Sequence, residues 1–403
     1  MKLSELMLAS SGGLKIEKRP MWSGVERRDP FIRLANNTPF KAEDRIMGLG
    51  DLAVNSTSSV WGHNGSEYLA ILPGQLPRTV SSDFKTTTVR SVIGAAPTGT
   101  DRFKILGYTN GNWIVEKYVS GSSTILYRSP DNGVTWVMIA TTWYSGGNAA
   151  GETILFGDKI YIYIPNSTTV NVYSTSTWTA LANETLPDTL DQGYLRKSNN
   201  GNVLVCRMGS TDTWYKKIGT GSWTACPYIA EQVSTSLSEI VALGESDFIF
   251  FDANYSRTKR ISRWSPTTDT LTFLPNFSLE VDMPRAILMD NVWVPITWPW
   301  QGTPHSFIDI DGITHIPVKY QKTFEYYYNG SALASNYVYV FAILSTYTGE
   351  SFTMTEVGRI DESKSGNYGY LVWPAIGGGF FYTDLENRVN TINTNCQEIV
   401  HVL

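Results

Sequence analysis

Asn110-Gly111-Asn112-Trp113-Ile114-Val115 joins a tight turn directly to an apolar run. The same arrangement recurs as Gly65-Ser66-Glu67-Tyr68-Leu69, Gly157-Asp158-Lys159-Ile160-Tyr161, Asn200-Gly201-Asn202-Val203-Leu204, Glu245-Ser246-Asp247-Phe248-Ile249, Asp290-Asn291-Val292-Trp293, Ser335-Asn336-Tyr337-Val338 and Gly377-Gly378-Gly379-Phe380-Phe381. With Tyr68, Trp113, Ile160, Val203, Phe248, Val292, Tyr337 and Phe380 taken as equivalent, successive spacings are 45, 47, 43, 45, 44, 45 and 43. A near-constant period of this length is the mark of a repeat architecture.

A second series runs in phase with the first: Val89, Trp136, Trp178, Trp223, Leu271, Ile313, Phe352 and Val389. An apolar run also precedes the early turn, as in Phe103 to Tyr108 and Ile240 to Leu243, and a further one follows it, as in Val170 to Tyr173. Each unit therefore has room for four short antiparallel strands, which is the blade of a β-propeller. The expectation is an all-β propeller of about eight four-stranded blades over residues 45–403, or seven if the Ser/Thr-rich first repeat is an ornament. A β-sandwich array also has short strands and frequent turns, but nothing in it requires one period.

Composition agrees. Aromatic residues make up 13% of the 403 residues and charged residues only 17%, a balance that favours strands over helices. The net charge of -5 and the lack of Lys/Arg runs speak against an extended nucleic-acid footprint. Three cysteines, Cys206, Cys226 and Cys396, are too scattered for a disulfide framework and read as free thiols. His63, His305, His315 and His401 have no metal-ligand spacing, and no cofactor is expected. Residues 1–44 stand outside the repeat as an irregular arm, basic through Lys15, Lys18, Arg19, Arg27, Arg28 and Arg33. Such an arm suits either pairing with the last blade to close the ring or docking on another protein. The N-terminus lacks the pattern of a secretory signal, and no apolar run is long enough to span a membrane.

Ser129-Pro130-Asp131-Asn132-Gly133-Val134-Thr135-Trp136 matches Ser-x-Asp-x-Gly-x-Thr-Trp at all its fixed positions. It resembles the Asp-box of sialidases and related bacterial neuraminidase repeats. That resemblance implies a turn between the two outer strands of a blade, in which Asp131 bonds turn amides, Gly133 takes a positive φ and Trp136 packs beneath. It points to the fold more than to a reaction. Pro30-Phe31-Ile32-Arg33 is a faint echo of the sialidase arginine motif, and Glu325 with Tyr326 is the nearest candidate for its nucleophile pair, but neither has the family's surrounding sequence. For other glycosidases, Asp309 and Asp311 are carboxylates on one strand face next to an Asp-Gly turn, which reads as a solvated strand end.

Trp298-Pro299-Trp300 and Tyr326-Tyr327-Tyr328 are placed in connections, where exposed rings suit stacking on sugars or docking on protein. Trp298, Trp300, Tyr327 and Tyr328 are thus the candidate contacts for a host-surface glycan or protein. In general texture the chain resembles bacteriophage tail or surface-fibre proteins: few charges, Asn/Ser/Thr/Gly turns, aromatic strands and a distinct N-terminal segment. The function this implies is a structural, non-enzymatic virion component, assembled in the host cytoplasm. Its arm binds other virion proteins and its loops contact the host, without membrane insertion or specific nucleic acid. A glycan-active hydrolase or lyase and a cellular protein-protein scaffold are the alternatives.

Overall fold

The computed structural model describes residues 60–401, apart from internal stretches of which 143–151, 253–260, 274–293, 296–305 and 361–371 are the longest. The arm and candidates Trp298 and Trp300 lie outside the described residues.

The chain is an all-β propeller. Blade 1 contains β1 (Val60–His63), β2 (Glu67–Ile71), β3 (Arg78–Ser81) and β4 (Thr87–Val89). Blade 2 contains β5 (Arg102–Thr109), β6 (Asn112–Tyr118), β7 (Thr124–Ser129) and β8 (Val137–Thr142). Blade 3 contains β9 (Glu152–Phe156), β10 (Lys159–Tyr163), β11 (Thr169–Ser174) and β12 (Glu184–Thr185). Blade 4 contains β13 (Leu190–Lys197), β14 (Val203–Met208), β15 (Thr213–Ile218) and β16 (Thr224–Cys226), and a short helix α1 (Pro227–Gln232) leads out of it. Blade 5 contains β17 (Ser238–Leu243), β18 (Asp247–Asp252), β19 (Ile261–Ser265) and β20 (Thr270–Phe273).

A five-stranded sheet follows, made of β21 (Val294–Pro295), β22 (Phe307–Ile308), β23 (Thr314–Tyr328), β24 (Leu333–Thr346) and β25 (Thr353–Ile360). Blade 6 contains β26 (Val372–Pro374), β27 (Phe380–Thr383), β28 (Val389–Ile392) and β29 (Glu398–His401). Every blade is an antiparallel meander in chain order.

The expected count of about eight four-stranded blades, or seven, is corrected to six among the described residues. Six of the eight early anchors, Tyr68, Trp113, Ile160, Val203, Phe248 and Phe380, fall on the second strand of a blade, each at most 1% exposed. The other two are Val292, outside the described residues, and Tyr337 within β24. Here one long hairpin of 15 and 14 residues replaces what the period counts as separate units.

The second strands are apolar almost without alternation because both their faces are covered: β6 is buried at Asn112 through Lys117, and β10 at Ile160 through Tyr163. The third strand alternates, as in β11, and the outer strand is largely exposed, as in β4 and β20. First strands lie side by side around the ring, β1 against β5, β5 against β9, β9 against β13, β13 against β17, and β17 against β21. They are therefore the strands nearest the axis.

The ring closes where β1 meets β26. Trp61 packs against Trp373 at 5.9 Å and Phe381 at 5.4 Å between ring centroids, Tyr68 against Phe84 at 4.8 Å, and the Ile376 amide donates to the Tyr68 hydroxyl at 2.9 Å. Burial pushes the Tyr68 phenol up to about 12, so it remains a neutral hydroxyl at this seam. Among the described residues, blade 1 draws its four strands from residues 60–89 and blade 6 from 372–401, and the two blades meet by side-chain packing. The alternative expected of residues 1–44, pairing with the last blade, falls outside the described residues.

The Trp61→Ala substitution empties the largest side chain from this seam and is expected to cost about 3–5 kcal/mol. Tyr68→Phe, which removes one hydrogen bond, should cost about 1 kcal/mol. Chemical denaturation followed by tryptophan fluorescence gives both values.

Candidate functional site

Polar side chains tie neighbouring sheets together. Between blades 1 and 2, Asn132 donates to Glu67 and accepts from the Trp113 indole at 2.8 Å, while Lys117 donates to the carbonyls of Ile93 at 3.2 Å and Ala95 at 3.1 Å. Between blades 2 and 3, Lys104 donates to the Thr153 carbonyl at 3.0 Å, Asn110 to Thr175, and the Thr153 hydroxyl to Glu116 at 2.6 Å. Lys197 donates to the Leu155 carbonyl at 3.0 Å, and Lys217 pairs with Glu184 at 2.8 Å, across the next seam. Lys216 then joins the Pro266 carbonyl at 2.6 Å and Asp269 between blades 4 and 5. The five-stranded sheet is held to blade 5 by Gly244 N donating to Thr314 Oγ1 at 2.8 Å and by Ser306 donating to the Ala242 carbonyl at 2.6 Å. Its Phe307 meets Phe380 of blade 6 at 4.9 Å.

Ser129 to Trp136 forms the turn from β7 to β8. Asp131 accepts from the Thr135 amide and hydroxyl, each at 2.7 Å, and from Ser129 at 3.0 Å. The Thr135 hydroxyl and amide are the main cause that holds the Asp131 carboxyl below its ordinary value. Asn132 and Gly133 both have positive φ, 59° and 87°. A Cβ on Gly133 would come 3.0 Å from Arg90 Cγ, and at its positive φ any other residue is strained. Trp136 packs on the core shared with blade 1 and donates to the Ser91 carbonyl at 3.2 Å.

A related turn at Ser81 to Thr87 was not singled out from the sequence. Ser81 donates to Asp83 at 2.6 Å, the Lys85 amide donates to both side chains, and Phe84 has φ 59°. Its signal is Ser81-x-Asp83, lost to inspection because Lys85 and Thr88 replace the glycine and tryptophan.

At the edge of the five-stranded sheet, Asp309, His315 and Ser345 form a chain of side chains. His315 Nε2 lies 2.9 Å from Asp309 Oδ2, and Nδ1 lies 2.7 Å from Ser345 Oγ. The other Asp309 oxygen accepts from the amides of Asp311 at 2.9 Å and Ile313 at 2.8 Å. The Asp309 and His315 side chains are only 7% and 5% exposed, and Phe307 stacks on the imidazole at 4.6 Å. Burial pushes the Asp309 carboxyl up, but the hydrogen bonds from His315 and the two amides outweigh it and keep the carboxyl below its usual value.

Asp309 is therefore not the solvated strand end expected from the sequence; Asp311 is the exposed member of the pair. Asp309 faces His315 across an Asp-Gly turn, a pairing that their spacing in the sequence permits. Ser345 enters only through the β23–β24 register, in which it sits opposite His315.

Tyr326, Tyr327 and Tyr328 lie in β23, opposite Ser335, Ala334 and Leu333, and not in a connection as expected. Glu325 is opposite Asn336 in the same hairpin. The strand continues here because the β-favouring tyrosines extend an antiparallel ladder already under way. Cys206 and Cys226 are buried in different cores, and burial pushes the Cys226 thiol up to about 11. Among the described residues no helix is long and apolar enough to cross a membrane, and no three His, Cys, Asp or Glu side chains are grouped for a metal ion.

No family model and no curated protein matches the chain. Solved structures do. A prolyl endopeptidase structure is 10% identical and matches 96% of this chain and 56% of its own at a TM-score of 0.51. TolB from Acinetobacter baumannii is 11% identical, over 83% of this chain and 68% of its own, at 0.39. YCF48 from Cyanidioschyzon merolae is 13% identical, over 83% and 93%, at 0.45. At these identities the likeness concerns the fold alone.

The Gly133→Ala substitution forces a Cβ into the left-handed region and against Arg90, and is expected to cost about 1–2 kcal/mol in a denaturation experiment. Glu116 tests the seam between blades 2 and 3 in another way. Its burial raises the carboxyl above the ordinary value despite Lys104 and the Thr153 hydroxyl. The folded state thus binds the proton more tightly than the unfolded chain. Stability from this group is greatest below the unfolded carboxylate pKa and declines as pH rises through the folded one. Glu116→Gln is expected to be more stable than the parent at neutral pH, with the gain vanishing in acid; thermal melts at a series of pH values measure it.

Proposed function

We propose that the chain is a structural component of a bacteriophage particle, a tail or surface-fibre protein whose propeller presents its loops to the host surface while residues 1–44 anchor it to other virion proteins. What supports this reading is that, among the described residues, blade 1 and blade 6 each have four strands of their own and meet through Trp61, Trp373 and Phe381. A basic segment that stands outside the repeat is suited to docking on another protein. Ties of opposite charge or hydrogen bonding across successive seams favour a rigid platform over a hinged one.

The Ser129 to Trp136 turn is read as an Asp-box of the sialidase type, supported by the bonds of Asp131 to Thr135 and the positive φ of Gly133. The proposed glycan or protein contacts remain Trp298 and Trp300, which lie outside the described residues, and Tyr327 and Tyr328 near the end of β23.

Electron cryo-microscopy of particles containing the chain tests the assignment. A fixed, symmetric copy number with residues 1–44 against a neighbouring protein is expected; a free monomer absent from particles would sink it. Removal of residues 1–44 is expected to shift the melting temperature by no more than about 2 °C, while abolishing incorporation into particles.

A further inference from the structure

Ser345, His315 and Asp309 stand in the order hydroxyl, imidazole, carboxylate, with both links within hydrogen-bond reach. We propose that they form a nucleophilic relay and give this chain an acyl-transfer activity on carboxylic esters, with Ser345 as the group that takes up the acyl chain.

The geometry assigns each role. Asp309 Oδ1 is already engaged by two backbone amides, so the carboxylate is fixed in place and turns Oδ2 to the imidazole. An ionised carboxylate only accepts, so a neutral His315 must carry its proton on Nε2. Nδ1 is then a lone pair, and the hydroxyl 2.7 Å away must donate to it. This is the arrangement in which a base oriented by a third group draws the proton from a serine hydroxyl. Phe307, stacked on the imidazole, keeps the ring from turning and water from its face. Ser345 is half-buried, less so than His315. Two residues on, Tyr347 is 69% exposed, and a Cβ on Gly312 would lie 3.3 Å from its ring, so this tyrosine lies against the Asp311-Gly312 turn.

In the reaction, Ser345 Oγ bonds to the ester carbonyl carbon as its proton passes to His315 Nδ1. The carbon-oxygen bond to the alcohol then breaks, and the imidazolium returns that proton to the leaving oxygen. Solvent water attacks the acyl-Ser345 carbonyl, giving one proton to His315. Cleavage of the carbon-Oγ bond releases the carboxylic acid, and His315 restores the Ser345 hydroxyl. One ester and one water become one acid and one alcohol. Asp309 stays ionised throughout and stabilises the imidazolium.

The full chain is incubated with a fluorophosphonate, which phosphonylates activated serines with loss of fluoride, and the product is mapped by peptide mass spectrometry. A single adduct on Ser345 is expected, absent from Ser345→Ala and formed about 100-fold more slowly in His315→Gln and Asp309→Asn. Hydrolysis of p-nitrophenyl acetate by the same proteins should fall in parallel. A parent protein with a cooperative melt but no adduct on Ser345 overturns the proposal, as does ester hydrolysis that survives in Ser345→Ala. Incorporation into particles is measured separately, so loss of this activity leaves the structural assignment to its own test.

Discussion

Both faces of a blade are apolar, and only another sheet can cover them. That requirement governs the whole structure. Trp61, Trp113, Trp214, Trp264 and Trp373 are among the largest fully buried side chains, and each belongs to a blade. Trp61 and Trp373 come from opposite ends of the described chain, yet share one core with Tyr68, Phe84 and Phe381. Without that contact, blades 1 and 6 would each present an apolar face to water. Burial of a large side chain contributes roughly 1.5–3 kcal/mol, so an aromatic cluster of this size is a large part of what holds the two blades together.

Apolar faces do not by themselves say which blade should sit beside which. Lysines bring that selectivity. Lys117, Lys216 and Lys217 are at most 7% exposed, and each reaches carbonyls or a carboxylate across or beside a seam. An ammonium has three donors and no acceptor, so it must find several oxygens when withdrawn from water. The cost of burying it is recovered only in the correct register, because a displaced neighbour leaves an unpaired charge. Lys197, more exposed than these, also reaches across a seam, its ammonium donating to the Leu155 carbonyl.

How much of this could be read in advance depended on which residues touch in sequence. The second strands were legible because their turns and apolar runs are contiguous, as at Asn110 to Val115. The Asp131 turn was legible for the same reason, since all its hydrogen-bonding groups lie within eight residues. Tyr337 shows the limit: a turn and an apolar run occur at the expected phase, but its strand pairs into one long hairpin. A period measures the distance between turns and does not say whether consecutive strands belong to one sheet. His315 and Ser345 are 30 positions apart and become neighbours only through the β23–β24 register, which alternation in a tyrosine-rich strand does not specify.

Closure by packing also fixes where the two ends of the ring leave it. Val60 opens β1, one of the strands nearest the axis, whereas His401 ends β29, the outermost strand of blade 6. Whatever precedes residue 60 is therefore attached close to the axis, and whatever follows residue 401 at the rim. The two ends of the described chain thus leave the ring at different radii, one beside the innermost strands and one at its outer edge.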